Sequence, residues 1–153
     1  MTAGCHQQSS SWVVQEMRTA VPASSSKKLS YVNQNAEGKI GLEILKIEDL
    51  IEMVLILYDF TIPMTIEASK QIPLKLESEG EIRSTCVLRH AGGQKFTVNY
   101  VDTVWILEHL HRQKPVHLFL GGYKAQIEPK GFLLSYAQFK KGHSLRLPLA
   151  FPL

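Results

Sequence analysis

Residues 82–102 read IRSTCVLRHAGGQKFTVNYVD, and this stretch decides the predicted fold. Alternating apolar positions on either side of the GG pair predict a hairpin of two strands, Ile82–His90 and Lys95–Val101. Asp102 then precedes an apolar stripe at helical spacing, and its carboxylate can accept a hydrogen bond from the first helical turn. The stretch therefore predicts a strand, a turn, a second strand and a helix.

The same order of features occurs in residues 29–49, LSYVNQNAEGKIGLEILKIED. A strand, a turn and the strand Ile40–Ile47 lead to Glu48 and Asp49, which suit a first helical turn because negative charge there complements the helix dipole. The apolar residues that follow recur at helical spacing and predict a helix. The competing prediction is a buried strand over Met53–Phe60, because Val, Ile, Leu and Tyr also suit strands. We favour the helix.

The doubled unit predicts one α+β domain, a mainly antiparallel sheet with two helices on one face and the other face open for contacts. We place this domain at residues 28–153 and a flexible, serine-rich N-terminal arm at residues 1–27. If residues 53–60 are extended instead of helical, the paired architecture and the contact surface inferred from it lose their basis.

Alternating apolar residues predict further short strands around the second unit. Pro63 and Pro73 each remove a ladder donor, which predicts edge positions for the strands that contain them. A predicted strand over Val116–Leu120 ends at the pair Gly121-Gly122, which turns the chain into a strand over Tyr123–Ile127. The Pro/Gly turn after Tyr123–Ile127 predicts a hairpin of that strand with Phe132–Tyr136. Alternation through residues 145–151 predicts a terminal strand, either at the edge of the sheet or exchanged between subunits as an arm.

An apolar patch interrupts the serine-rich N-terminal segment at Trp12, Val13, Val14 and Met17. A free tail rarely exposes a Trp and two valines without a contact. Two interpretations remain open: the patch docks on the domain's own core, or it packs against another subunit.

The composition is ordinary for a folded protein, because 44% of the residues are hydrophobic and 20% are charged. An entirely disordered chain is thereby excluded. The net charge of +3 permits an anionic partner without requiring one. The longest apolar run, Met53–Tyr58, is too short to span a bilayer, and Met1–Lys28 lacks the features of a secretory signal. We expect a soluble, intracellular protein of the cytoplasm or nucleus.

The sequence contains no motif of a catalytic, phosphate-binding or metal site. Cys86 alternates with apolar neighbours, which predicts a buried and inert thiol. His109 and His111 fall on opposite sides of the second predicted helix, so they cannot chelate one metal together, and imidazoles in a last helical turn also satisfy free carbonyls. We therefore expect a non-enzymatic protein without a cofactor or metal, and keep an enzyme with dispersed catalytic residues as the third hypothesis.

The first hypothesis is an oligomeric binding protein that contacts an anionic partner, above all single-stranded RNA or DNA. Proteins that bind single strands combine cationic side chains for phosphates with aromatic rings on which bases stack. The predicted contact residues are Lys39, Lys95, Lys124, Lys140 and Lys141 for phosphates, with Tyr123 and Phe139 for bases.

The second hypothesis is a self-assembling structural protein, such as a viral matrix-type or coat-associated protein. A mobile arm with a large aromatic residue and a helix that is apolar on several sides both suit contacts between subunits. The predicted oligomer contacts are Trp12, Val13, Met17, Met53 and Leu57.

Overall fold

A computed structural model describes residues 12–17, 26–32, 40–58, 60–62 and 70–150, with side chains as far as residue 141. In this part of the chain, nine strands form one antiparallel sheet on which two helices pack. The predicted class, α+β with a mainly antiparallel sheet and two helices, is confirmed. The elements are β1 (Trp12–Met17), β2 (Ser26–Tyr31), β3 (Ile40–Ile47), β4 (Leu50–Leu57), β5 (Gln71–Ser78), β6 (Glu81–Arg89), β7 (Lys95–Val98), α1 (Tyr100–His111), β8 (Val116–Leu120), β9 (Tyr123–Ile127) and α2 (Phe132–Ala150).

The strands lie in the order β1-β2-β3-β4-β7-β6-β5-β8-β9, and every neighbouring pair is antiparallel. The hairpins β6–β7 and β8–β9 are those that the sequence predicts, although β7 ends three residues earlier than expected. The chain leaves the sheet order only after β4 and after β7: β5 then pairs with the far side of β6, and β8 pairs with the far side of β5. The sheet is therefore built from local hairpins with two longer connections.

The predicted first helix is wrong, because its residues form strand β4. Glu48, at a φ of 57°, and Asp49 form the turn between β3 and β4 instead of a first helical turn. β4 lies between β3 and β7, and the side chains of its second half are buried on both faces. A strand buried on both faces reads as a continuous apolar run, which periodicity alone does not separate from a buried helix. Because the doubled strand–strand–helix unit is absent, the contact surface inferred from it must be assigned anew.

The predicted second helix is confirmed as α1, but its N-cap is Asn99 and not Asp102. The Oδ1 atom of Asn99 accepts a hydrogen bond from the backbone N–H of Asp102 at 2.8 Å. The Asp102 carboxylate is buried and accepts hydrogen bonds from Arg83 Nε and Thr85 Oγ1 on β6, both at 2.5 Å. Asp102 therefore fastens the first turn of α1 to the sheet.

The other helix of the structure is α2, where the sequence predicts strands. Residues 132–136 do not pair with β9, which instead pairs with β8 alone, and the predicted terminal strand is wrong as far as residue 150, because the backbone is helical. Phe132, Tyr136 and Phe139 follow one another at spacings of four and three and form a ring cluster on one side of the helix. Phe132 and Tyr136, which the sequence places on one face of a predicted strand, therefore share one side of a helix.

Residues 12–17, predicted to belong to a flexible arm, form edge strand β1. The side chain of Trp12 is buried in the core and Val14 packs against it, so the interpretation in which this patch docks on the chain's own core is correct for these two residues. The predicted boundary between residues 27 and 28 falls inside β2. Residues 1–11 and 18–25 of the predicted arm lie outside the described residues.

Strand β5, which contains Pro73, is an interior strand and not the predicted edge. The pairing of β5 with β8 covers Leu74–Glu77 and ends just before Pro73, so no ladder donor is needed there. Pro63 lies outside the described residues. The proline therefore marks the end of one ladder within an interior strand.

The sheet curls until its two ends meet. Trp12 Nε1 donates a hydrogen bond to the carbonyl oxygen of Glu128 at 2.9 Å. The Tyr31 hydroxyl accepts a hydrogen bond from the backbone N–H of Glu128 at 3.2 Å and donates one to the carbonyl oxygen of Gln126 at 3.4 Å. Side chains of β1 and β2 thus join the opposite end of the sheet at β9.

Helices α1 and α2 cover the inner, concave face of the curled sheet. Ile106 and Leu110 of α1 and Phe132 and Phe139 of α2 lie in the core with the inward side chains of the strands. The opposite side chains of each strand form what we call the convex face. No helix in the described part of the chain is long and apolar enough to cross a membrane.

Candidate nucleic-acid interface

An aromatic side chain with a lysine on each side lies on the convex face. Lys75 of β5 pairs directly with Phe119 of β8, which pairs directly with Lys124 of β9. The Nζ atom of Lys75 lies 4.5 Å from the centre of the Phe119 ring. Directly opposed side chains on antiparallel strands stand about 5 Å apart, so the three form one continuous row. We call Lys75, Phe119 and Lys124 the Phe119 row.

The alternation of apolar residues places this row outside. Leu74 and Leu76 on β5 and Leu118 and Leu120 on β8 point into the core, where all four are buried. Successive side chains of a strand point to opposite faces, so the residues between these leucines must point outwards. The ring of Phe119 stays half-buried on this face, whereas both lysines are exposed. The burial of four leucines therefore fixes the orientation of the row.

The charge of the surrounding convex face is positive. The outward positions of β5 to β9 carry three lysines, Lys75, Lys95 and Lys124, and one carboxylate, Glu77. His117 and Gln126 lie opposite each other in the row next to Phe119, and Gln126 donates a hydrogen bond to the Glu128 carboxylate at 2.6 Å. The face thus combines an aromatic ring, ammonium groups and neutral hydrogen-bonding side chains.

Two of the seven predicted nucleic-acid contacts, Lys95 and Lys124, lie on this convex face. Tyr123 is turned to the other side of β9 and packs on Phe60, with ring centres 4.6 Å apart. Phe139 was expected to be an exposed stacking surface, but the structure corrects this, because its side chain is 0% exposed within the core.

The remaining predicted phosphate contacts lie elsewhere. Lys140 and Lys141 are exposed on α2, which covers the concave face of the sheet, and Lys140 Nζ lies 5.7 Å from the Tyr136 ring centre. Lys39 lies outside the described residues. The predicted set therefore does not form one surface.

The predicted oligomer contacts are divided in the same way. Trp12, Met53 and Leu57 are buried in the core of the chain itself, so the structure corrects their assignment as contacts between subunits. Met17 is half-buried at the end of β1, and Val13 is exposed on that edge strand. Among these five residues, Val13 alone is exposed over about half of its side chain, at 52%.

Sequence reasoning missed Phe119 and Lys75. The signal for Lys75 is present, because Ile72, Leu74 and Leu76 alternate with it and predict that it points away from the core. Phe119 carries no such signal by itself, since an aromatic residue in an apolar strand suits either face. Its role becomes visible only through the register of β8 with β5 and β9.

The exposure of the Cys86 thiol differs from the expectation of the sequence. Cys86 is exposed on the convex face, so the prediction of a buried thiol is wrong. Its side chain is outward because Val87 and Thr85, and not Cys86, point to the core side of β6.

His109 is buried, and its two ring nitrogens face the Trp105 carbonyl at 2.8 Å and the Glu81 carboxylate at 3.0 Å.

The described residues contain no group of three or more His, Cys, Asp and Glu side chains placed to hold a metal ion. No protein-family model matches the sequence, and searches of curated proteins and of solved structures find no similar chain.

Proposed function

We propose that this protein is a non-enzymatic binding protein whose convex face contacts single-stranded RNA or DNA. The observation that carries the proposal is the Phe119 row, an aromatic ring between two ammonium groups on the convex face of the sheet. Ring and cations are the two components with which proteins hold single strands without reading their sequence. Lys95 extends the positive surface along the same face.

In this proposal, a nucleobase stacks on the ring of Phe119 and the two lysines contact the phosphates on either side. The Lys75 ammonium, which lies over the ring in the free protein, moves to a phosphate when a base takes its place. A duplex does not present free base faces, so it gains only the phosphate contacts. The proposal therefore predicts tighter binding of single strands than of duplexes.

The test is a fluorescence anisotropy titration of the full chain with a labelled oligouridine, at about 50 mM and about 200 mM salt. We expect F119L to weaken binding by a factor of about 5 to 150, because stacking contributes roughly 1–3 kcal/mol per base. The matched control is Y100L, which removes an exposed ring on α1 that lies outside the row. Undetectable binding at low salt, or an equal effect of F119L and Y100L, contradicts the proposal.

The same complex offers a direct structural readout. Because the Nζ atom of Lys75 lies 4.5 Å from the centre of the Phe119 ring, we expect a ring-current shift of the ε-methylene protons of Lys75 in the free protein. Displacement of this side chain by a base removes that ring-current shift. Binding that leaves the Lys75 resonances unchanged places the nucleic acid on another surface.

A further inference from the structure

The sheet contains a gap one strand wide between β4 and β6. Strand β7, which separates them, has four residues, whereas β4 has eight and β6 has nine. Its pairing ends at Val98, opposite Met53 and Val87, where the chain turns into α1. Among the described residues, no strand continues β7 between the β4 segment Leu50–Glu52 and the β6 segment Ser84–Cys86, which the register places opposite each other, or beside Glu81–Arg83 further along β6. Since neighbouring strands lie about 4.8 Å apart, this sheet gap is roughly 9–10 Å wide.

Backbone groups of both flanking strands point into the sheet gap. On β6, the N–H of Arg89 bonds to Lys70 towards β5, whereas the N–H of His90 bonds to Lys95 towards β7. Backbone groups alternate in direction along a strand, so those of Ile82 and Ser84 face the gap. On β4, the N–H of Leu57 bonds to Gln94 beside β7. Ile51 is six positions from Leu57, so its backbone groups point in the same direction and face the gap. The gap thus presents the donors and acceptors that an added strand would pair with.

Exposed apolar side chains surround the sheet gap. Leu50 is 75% exposed and Ile82 is 59% exposed on its two sides, while Tyr100 and Val101 at the start of α1 are 74% and 61% exposed. Clustered exposure of large apolar residues marks surfaces that another chain covers. A strand in the gap would cover these side chains from both sides of the sheet.

The gap is held in place by α1. The Asp102 carboxylate, in the first turn of the helix, accepts hydrogen bonds from Arg83 and Thr85, the inward side chains of the unpaired β6 segment. The helix therefore lies beneath this segment and cannot unwind to prolong β7 without breaking the ion pair of Arg83 with the buried Asp102 carboxylate. The chain's own neighbouring segment is thus kept out of the gap.

The charges around the gap indicate which strand fits. Glu48, Asp49 and Glu52 lie along the β4 side, where residues 47–52 contain no Lys or Arg. In the β6 segment Glu81–Cys86, Glu81 contacts His109, and Arg83, the only Lys or Arg of the segment, is paired with Asp102. A basic segment is therefore attracted to the β4 side, whereas an acidic one is repelled.

We propose that the sheet gap binds an extended segment of a partner protein in which apolar residues alternate with Lys or Arg. The segment adds as a strand, so main-chain hydrogen bonds provide affinity and the alternating side chains provide specificity. This site is separate from the Phe119 row, and the proposal does not depend on nucleic-acid binding.

The probe is a fluorescein-labelled VKVKVK peptide, titrated against the full chain by anisotropy. S84P removes the N–H that points into the gap and leaves the β5–β6 ladder intact, whereas the matched control S84A keeps that N–H. We expect S84P to weaken binding at least about tenfold and S84A to leave it unchanged, since a tenfold change corresponds to about 1.4 kcal/mol, near the value of one lost hydrogen bond. We also expect KKKVVV, of the same composition without alternation, and VEVEVE to bind at least about tenfold more weakly.

Amide hydrogen exchange tests the gap in the same protein. In the free chain, the amides of Ile82 and Ser84 should exchange faster than those of Arg83 and Thr85, and VKVKVK should protect the first pair. If S84P does not fold, VKVKVK methylated on alternate backbone nitrogens replaces it, and equal binding of this peptide contradicts strand addition. Equal binding of VEVEVE or KKKVVV also overturns the proposal, as does slow exchange at Ser84 in the free chain. A dimer that S84P abolishes would identify a second copy as the occupant and contradict the partner assigned here.

Discussion

Trp12 and Glu128, 116 positions apart in the chain, are joined by a hydrogen bond of 2.9 Å from the indole N–H to the backbone carbonyl. The Trp12 ring also packs on Tyr31 and Phe132, with ring centres 4.8 Å and 4.9 Å away. One side chain therefore connects the first strand, the far end of the sheet and helix α2. Together with the hydrogen bonds of Tyr31 to Gln126 and Glu128, it joins the two ends of the curled sheet.

Replacement of Trp12 by Phe should destabilise the fold. The Glu128 carbonyl loses its indole donor and the core loses part of a buried ring, so we expect the free energy of unfolding to fall by about 1–3 kcal/mol. V13T, on the exposed side of the same strand, is the control and should change stability by less than about 0.5 kcal/mol. Urea denaturation measures both. A W12F protein as stable as the parent would show that the closure contributes nothing.

Alkaline pH should loosen the same closure at Tyr31. Burial raises the pKa of its phenol, the hydrogen bond from the Glu128 backbone lowers it, and the Glu128 carboxylate raises it further. Because the folded-state pKa lies above the unfolded value of about 10, this stabilisation is complete below pH 10 and is lost as the pH rises towards the folded pKa. We expect Y31F to lose less stability than the parent between pH 9 and the alkaline limit of the assay. Parallel pH profiles for the two proteins would contradict this expectation.

The buried Asp102 carboxylate should contribute strongly to stability. D102A leaves Arg83 and Thr85 without their acceptor and removes a negative charge from the first turn of α1. We expect a loss of about 2–4 kcal/mol, somewhat less than the roughly 3–5 kcal/mol for removing one partner of a fully buried ion pair, because Arg83 is partly exposed. The control E79Q removes a carboxylate from an exposed pair with Lys114 and should have a much smaller effect. Equal effects of the two substitutions in denaturation would contradict the structural role of Asp102.

The local hairpins of the sheet are predictable from the sequence. The Gly pairs between β6 and β7 and between β8 and β9 adopt positive φ, a conformation that glycine takes without a steric penalty. Alternation on both sides of each pair then predicts the strands. Helix α1 is equally predictable, because its stripe of apolar residues follows a capping side chain.

Strand β4 and helix α2 are not predictable in this way. The run Met53–Leu57 is buried on both faces in the middle of the sheet, so it has no polar side that distinguishes a strand from a helix. In α2, Phe132, Leu134 and Tyr136 alternate like a strand, and the core position of Phe139 reveals the helical spacing only once the structure is known. The order of the strands, which depends on long-range pairing, has no local signal.

The candidate site depends on that long-range order. Lys75, Phe119 and Lys124 belong to three strands, and only the pairing of β8 with both β5 and β9 brings them into one row. Sequence reasoning found Lys124, because an isolated lysine in a strand is read as exposed. The prediction that Phe139 stacks on bases failed because the sequence does not show which residues pack on an aromatic ring, and in the structure Phe139 is buried.

The most direct test of the nucleic-acid interface compares two double variants that lose the same charge. K75A/K124A removes the lysines of the Phe119 row, whereas K140A/K141A removes two exposed lysines from α2. In oligouridine titrations over a range of salt concentrations, the first variant should bind more weakly, and the slope of log affinity against log salt should fall in magnitude by about 1.4, or 0.7 for each lost phosphate contact. The second should keep the parental slope. Equal losses in both variants, or a larger loss in K140A/K141A, would contradict the assignment of the interface to the convex face.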